Sequence, residues 1–227
     1  MGTIYLVRHG QASFGAADYD QLSDKGYRQG EQLGQWWHGH GMRFDAVYTG
    51  TLRRHRQTLE AIARGMQWTP EEVQQLHTFQ SELNEYDSDA LLAALNVNLP
   101  RPEAPEQARQ HFRSLCAALE QWMGGTISPA GMPSWQAFQD GITGLLQALR
   151  RQHVGQQVLV VSSGGPISTA VAAVLDTAPE QAIGLNMRIR NTAITELGIT
   201  PRRINLHSFN AIPHLAAREW AELVTMA

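Results

Sequence analysis

The chain has 227 residues, a formal net charge of -3 with histidine neutral, and a hydrophobic fraction of 43%. Of its 18 basic residues, 17 are arginine and one, Lys25, is lysine, which excludes a Gly-Lys-Ser/Thr phosphate loop and argues against a Schiff-base lysine. A single cysteine, Cys116, excludes an internal disulfide and a cysteine-based zinc cluster, and a mildly acidic chain lacks the basic stripe of a nucleic-acid binder.

In chain order, the apolar run Thr3 to Arg8 reads as a buried strand that ends at Gly10. Residues 13 to 21 read as a loop, and Ser23 as the N-cap of a helix reaching about His38. Phe44 to Tyr48 is a second predicted strand. Thr51 to Arg64 is a helix closed by Gly65, Val73 to His77 a third strand, and Asp87 to Leu95 a short helix. Pro100, Pro102 and Pro105 break the pattern before a helix over Glu106 to Met123, so residues 100 to 133 read as a helical insertion or cap within one domain spanning 1–227. A helix over Ser134 to Arg151 follows, then a strand over Gln157 to Val161, the Ser162-Ser163-Gly164-Gly165-Pro166 turn and a helix to Leu175. Thr192 to Leu197 and Ile204 to Phe209 are late strands, with a terminal helix from about Ala216. This alternation predicts an α/β fold, with a mostly parallel central sheet and helices on both faces. The N-terminal apolar run stops at Arg8, too short for a signal peptide, and no stretch is long enough to span a bilayer. The expected location is cytoplasmic, with no membrane partner.

Three predicted strand ends carry polar groups: Arg8-His9-Gly10, Tyr48-Thr49-Gly50 with the Arg-rich helix start that follows, and Ser162-Ser163-Gly164-Gly165. Ligands of open α/β sheets bind beyond the carboxyl ends of strands, where helix N-termini favour an anion. Adjacent residues on a continuing strand face opposite sides, so Arg8 and His9 reach one ligand only if the strand ends there; Gly10 permits such a turn. His38-x-His40 has no nearby carboxylate or cysteine to complete a metal site. Trp135 and Phe138 have a spacing that fits a substrate wall or, more commonly, a core.

The segment Leu6-Val7-Arg8-His9-Gly10-Gln11 resembles the Leu-Val-Arg-His-Gly signature of the histidine phosphatase superfamily, in its phosphoglycerate-mutase-like branch. Leu22-Ser23-Asp24-Lys25-Gly26 is similar to that family's Leu-Thr-x-x-Gly helix start, and Leu52-Arg53-Arg54-His55-Arg56-Gln57-Thr58 to its Leu-x-Arg-Ala-x-Gln-Thr. Leu83-Asn84-Glu85 is similar to Leu-x-Glu, and Asn191-Thr192-Ala193 to an Asn-rich start of a late strand. The blocks occur in family order and cover most of the chain outside residues 100 to 133.

The resemblance implies a phosphomonoester hydrolase working through a phosphohistidine on His9, on a small phosphorylated substrate and with no cofactor or metal. His9 would be the nucleophile and Glu85 the acid that protonates the leaving oxygen and then activates water. Arg8 and Arg54 would clamp the phosphoryl group, with Gln11, Ser163 and Gly164 completing the phosphate site. Arg53 and Arg56 compete with Arg54, and Glu82 competes with Glu85; the family register favours Arg54 and Glu85. The family has Val-Ser-His-Gly-Gly where this chain has Val161-Ser162-Ser163-Gly164-Gly165, so a phosphate-holding histidine is replaced by Ser163. A lost charged hydrogen bond costs roughly 1.5–3 kcal/mol. Two readings therefore stand together: a phosphatase of reduced activity, and a weak or inactive phospho-ligand binder or regulator. His214, after the last strand, is a possible compensating imidazole. A serine hydrolase would need glycine at the position of Val161 to form a Gly-x-Ser-x-Gly elbow.

Overall fold

The computed structural model describes residues 1–13, 20–96 and 105–226. Among the described residues six strands form one sheet: β1 (Gly2–Arg8), β2 (Ala46–Thr49), β3 (His77–Phe79), β4 (Gln157–Ser162), β5 (Ile194–Ile199) and β6 (Ile204–Ala211). Their order is β3-β2-β4-β1-β5-β6. The pairings β2–β3, β2–β4 and β1–β4 are parallel, whereas β5 pairs antiparallel with both β1 and β6. The sheet is thus mostly parallel, with an antiparallel edge.

The long helices are α1 (Asp24–Gly39), α2 (Arg53–Met66), α5 (Pro105–Met123), α6 (Trp135–Gln152) and α7 (Gly164–Val174). Shorter ones are α3 (Pro70–Leu76), α4 (Ser88–Ala94) and α8 (Gln181–Asn186). The period-two alternation of the central strands supplies two apolar faces. Ile4, Leu6, Val158 and Val160 face Ile142, Leu146 and Leu149 of α6 and Ile167 of α7. Val7, Leu159 and Val161 face Leu33 and Trp37 of α1 and Leu59 and Ile62 of α2. A third cluster joins Leu91 of α4, Leu119 and Trp122 of α5, Trp135 of α6 and Ile183 of α8. Trp122 lies 5.2 Å from Trp135 and 5.4 Å from Phe138 between ring centroids, so Trp135 and Phe138 are core. Residues 97–104, which include the start of the expected insertion at 100, lie outside the described residues, as do residues 14–19 of the expected loop.

Three local expectations are corrected, and one helix is added. Val73 to Leu76 is helical: Thr69 and Glu72 form a capping box, Pro70 occupies the first turn, and the strand starts only at His77. Gly65 does not close α2, which runs on to Met66 with Gln67 as its left-handed cap. A Cβ on Gly34 would lie 2.8 Å from the Cα of Gly65, and one on Gly30 2.7 Å from the Cβ of Ala61. These glycines let α1 and α2 meet backbone to backbone. The terminal segment forms 3-10 turns at Pro213–Leu215 and Arg218–Leu223 rather than an α-helix. Gln181–Asn186, not expected from the sequence, is helical.

Candidate active site

The strand register aligns the polar ends. Arg8 of β1 pairs with Ser162 of β4, and Thr49 of β2 with Val161. His9 therefore follows β1 level with Ser163 after β4, and Gly50 follows β2 level with Ser162. The chain leaves the strand after Arg8, so the two side chains escape the alternation that would separate them. Gly10 serves close approach here: a Cβ on it would lie 2.5 Å from the Gly26 carbonyl oxygen, and one on Gly26 2.2 Å from that of Gln11.

His9 is buried, and its Nδ1 lies 2.7 Å from the carbonyl oxygen of Gly10. A carbonyl only accepts, so Nδ1 carries the proton and Nε2 keeps its lone pair. Burial, then the charges of Arg54 and Arg8, hold the imidazole pKa well below its ordinary 6.5. His9 is accordingly neutral at neutral pH, with an unshared electron pair on Nε2. Its backbone is anchored on three sides. The His9 N–H donates to Ser162 (2.8 Å), the Asn191 amide donates to the His9 carbonyl (3.1 Å), and the Gly10 N–H donates to Thr58 Oγ1 (3.0 Å). Asn191 is fixed in turn by Thr225 Oγ1 (2.8 Å), which also accepts from Gln29 Nε2 (2.8 Å).

Arg8 and Arg54 both act on His9, and both act on Glu85. Arg8 Nη1 donates to the carbonyls of Ile189 and Met226. Arg54 is buried and pairs through Nη1 with Asp20 at 2.7 Å. The same carboxylate accepts from the backbone N–H groups of Arg53 (2.8 Å) and Arg54 (3.4 Å), so it occupies the N-terminus of α2, where Leu52 offers no cap. Arg53 and Arg56 are exposed.

Glu85 accepts from the Gly165 N–H at the start of α7, at 3.0 and 3.2 Å for its two oxygens. Burial raises its pKa above the ordinary 4.5, against the opposing pull of Arg54, the Gly165 N–H and Arg8. Glu82 is exposed and turned toward Gly141 of α6, so geometry separates the two competing carboxylates in favour of Glu85. Gln11 holds Ser23 through its side chain (3.1 Å) and receives no contact from His9 among the described hydrogen bonds. Gly164 begins α7, pressed against Asn186, where a Cβ would lie 2.0 Å from Oδ1.

His214 is buried, but its Nε2 bonds Thr192 Oγ1 at 2.9 Å, and burial lowers its pKa to about 3. The imidazole that meets Ser163 is instead His55, whose Nε2 lies 2.7 Å from Ser163 Oγ. The His55 ring centroid is 5.7 Å from that of His9. In the sequence His55 is one more residue of an arginine-rich helix start. Its one signal was a histidine where the similar motif has alanine. His40 Nδ1 lies 2.7 Å from the carbonyl oxygen of Trp36, and no cluster of three or more His, Cys, Asp or Glu among the described residues is placed to hold a metal. No helix among the described residues is long and apolar enough to cross a membrane.

A curated 2,3-bisphosphoglycerate-dependent phosphoglycerate mutase of Rhizobium rhizogenes is 28% identical over 196 residues, covering 82% of this chain and 85% of the mutase. Among solved structures, a mutant phosphoserine phosphatase from Entamoeba histolytica in complex with phosphoserine superposes with a TM-score of 0.64 at 20% identity, covering 95% of this chain and all of the other. A mycobacterial glucosyl-3-phosphoglycerate phosphatase superposes with a TM-score of 0.63 at 18% identity, covering 92% and 98%. The sequence profile of the histidine phosphatase superfamily, branch 1, matches residues 4–212. The chain belongs to the histidine phosphatase superfamily, branch 1.

Proposed function

We propose that the protein is a phosphomonoester hydrolase that works through a phosphohistidine on His9. The observation that carries this reading is the His9 tautomer. With Nδ1–H held by the Gly10 carbonyl, the Nε2 lone pair is fixed among two guanidinium groups and a carboxyl group of raised pKa. Nε2 attacks phosphorus as the P–O bond to the leaving group breaks, and protonated Glu85 delivers its proton to the departing oxygen. Arg8 and Arg54 neutralise the equatorial oxygens; Arg54 exchanges Asp20 for the phosphoryl group. Glu85, now a carboxylate, takes a proton from the water that cleaves the N–P bond, which releases phosphate and restores both groups. No step calls for a metal.

Phosphate release from p-nitrophenyl phosphate and a panel of sugar, amino-acid and nucleotide phosphates tests this. Wild type is expected to turn over and to yield an acid-labile phosphoenzyme on rapid quenching, whereas His9→Ala does neither. Equal release by both proteins would sink the reading. A phosphate shift within a phosphoglycerate, followed by phosphorus NMR, would identify mutase activity like that named for the Rhizobium relative. Ser163 favours a second reading, a phospho-ligand binder without turnover, for which tight phosphate-ester binding by an inactive wild type is the signature.

A further inference from the structure

Two departures from the family motifs meet in space. In the α2 motif the family has alanine where this chain has His55; in the β4 turn it has histidine where this chain has Ser163. The two lie 108 positions apart in the chain, yet their side chains share one hydrogen bond of 2.7 Å, and both residues are fully buried. The imidazole has moved from one wall of the site to the other. Gly50 leaves room for it: a Cβ there would lie 2.2 Å from His55 Nδ1.

The bond has a direction. His55 Nδ1 is buried and meets no hydrogen-bond partner. A proton on Nδ1 would be a buried orphan donor, costing about 1–3 kcal/mol. The proton therefore sits on Nε2, and Nε2–H donates to Ser163 Oγ. Ser163 Oγ makes no other hydrogen bond among the described residues, so its hydroxyl hydrogen is available. The serine follows β4 beside His9, whose N–H is bonded to the neighbouring Ser162 carbonyl.

We propose that His55 and Ser163 act as one donor in place of the family's second histidine: His55 Nε2–H positions and polarises the Ser163 hydroxyl, which donates to a phosphoryl oxygen at His9. This rests on the phosphohistidine reading and adds a specific pair to it. Ser163 touches the substrate, and His55 is a positioning residue. The donor is neutral, because burial and the Arg54 charge keep His55 from protonating. Its strength therefore does not titrate, unlike that of an imidazolium donor in the same place.

Rapid-quench kinetics with p-nitrophenyl phosphate test the pair in the full chain, with circular dichroism and melting curves to show that each variant is folded. Ser163→Ala and His55→Ala are each expected to slow His9 phosphorylation about 10- to 100-fold, with KM within about threefold. The double alanine variant should be no slower than the worse single. His55→Gln keeps an N–H for Ser163 and should lose far less, which also carries the test if His55→Ala does not fold. Exchanging the pair, His55→Ala with Ser163→His, should restore rate over either alanine variant and add an alkaline limb to the pH profile as the new imidazolium deprotonates. Ser163→His alone crowds two imidazoles and should not accelerate the enzyme.

Wild-type rates in His55→Ala, additive losses in the double variant, or an exchanged pair no faster than the alanine variants would each overturn the proposal. So would covalent labelling of Ser163 by a serine-directed fluorophosphonate, which would make it a nucleophile. Retained activity in His9→Ala would instead defeat the phosphohistidine reading itself, so the two failures are distinguishable.

Discussion

Replacing Gly165 by alanine displaces the proposed acid–base group, Glu85, without changing its chemistry. The added Cβ would sit 2.1 Å from Glu85 Oε1 and 2.6 Å from Cε1 of the Tyr86 ring, against an ordinary contact of 3.4 Å or more. The carboxylate must therefore retreat by about 1 Å, and a displacement of that size costs roughly 100-fold when it spoils an in-line geometry. Tyr86 cannot yield easily, because its ring packs at 6.0 Å on Trp122 and its hydroxyl receives the Asn186 amide at 2.7 Å. Overpacking of this kind destabilises by about 1–3 kcal/mol, or very roughly 2–12 °C in Tm for a chain this long. The assay compares kcat/KM for an alkyl phosphate, whose leaving oxygen needs a proton, with p-nitrophenyl phosphate, whose leaving group does not. At a temperature where the variant is folded, Gly165→Ala should lose about 100-fold on the alkyl ester and under about tenfold on the aryl ester. Phosphoenzyme should accumulate with the aryl ester, because water activation is slowed as well. Equal losses on both esters, with no accumulation, would falsify the assignment of Glu85 as the proton donor.

The pH profile follows from the directions of the two shifts. Neutral His9 is present above a pKa held well under 6.5, and protonated Glu85 below a pKa raised over 4.5, so the alkaline limb of kcat/KM for alkyl esters belongs to Glu85. That limb should vanish from the residual activity of Glu85→Gln; its survival would assign it elsewhere. His214 tests stability: with a folded pKa of about 3 against 6.5, only the unfolded chain takes up its proton between those values, so stability falls as pH drops through the window. His214→Gln should flatten that fall by about 1.4 kcal/mol per pH unit in urea titrations, and an unchanged slope would contradict it. Trp122→Ala should cost about 3–5 kcal/mol by urea unfolding, since Trp122 is fully buried between α5 and α6; a loss under about 1 kcal/mol would mean the third cluster is not a core.

What was legible in the sequence was whatever a local pattern encodes. β1 and β4 are apolar runs ending in a turn, and both appear within a residue of expectation. Arg8, His9, Arg54 and Glu85 stand out by motif register, which also favours Arg54 over Arg53. The helix at Pro70–Leu76 was misread because Val73 and Leu76 outweighed a capping signal that was equally present. Gly65 was misread for another reason: a glycine that ends a helix and one that admits a neighbouring helix look alike until the neighbour is known. His55 is the instructive omission. Its meaning lies in a pairing with Ser163 that only the strand order creates, since β2, β4 and β1 lie side by side. Asp20 and Thr225 were invisible for the same reason, each acting through a partner distant in the chain.

The glycine contact between α1 and α2 has a mechanical consequence. Side chains packed on side chains absorb small displacements by changing rotamer, but backbone resting on backbone has no such slack. Cβ atoms on Gly34 and Gly65 would each come within 2.2 Å of a carbonyl oxygen of the opposite helix. Arg54, His55 and Thr58 ride on α2, and Ser23 and Gln29 on or beside α1, so this side of the cleft moves as a single block. The opposite wall, from Glu85 through Tyr86 to α5, meets instead through side chains, the rings of Tyr86, Trp122 and Phe138 lying 5.4 to 6.3 Å apart. A substitution that shifts α2 would therefore carry Arg54, His55 and Thr58 together, and with them the Thr58 hydroxyl that holds the Gly10 N–H beside His9.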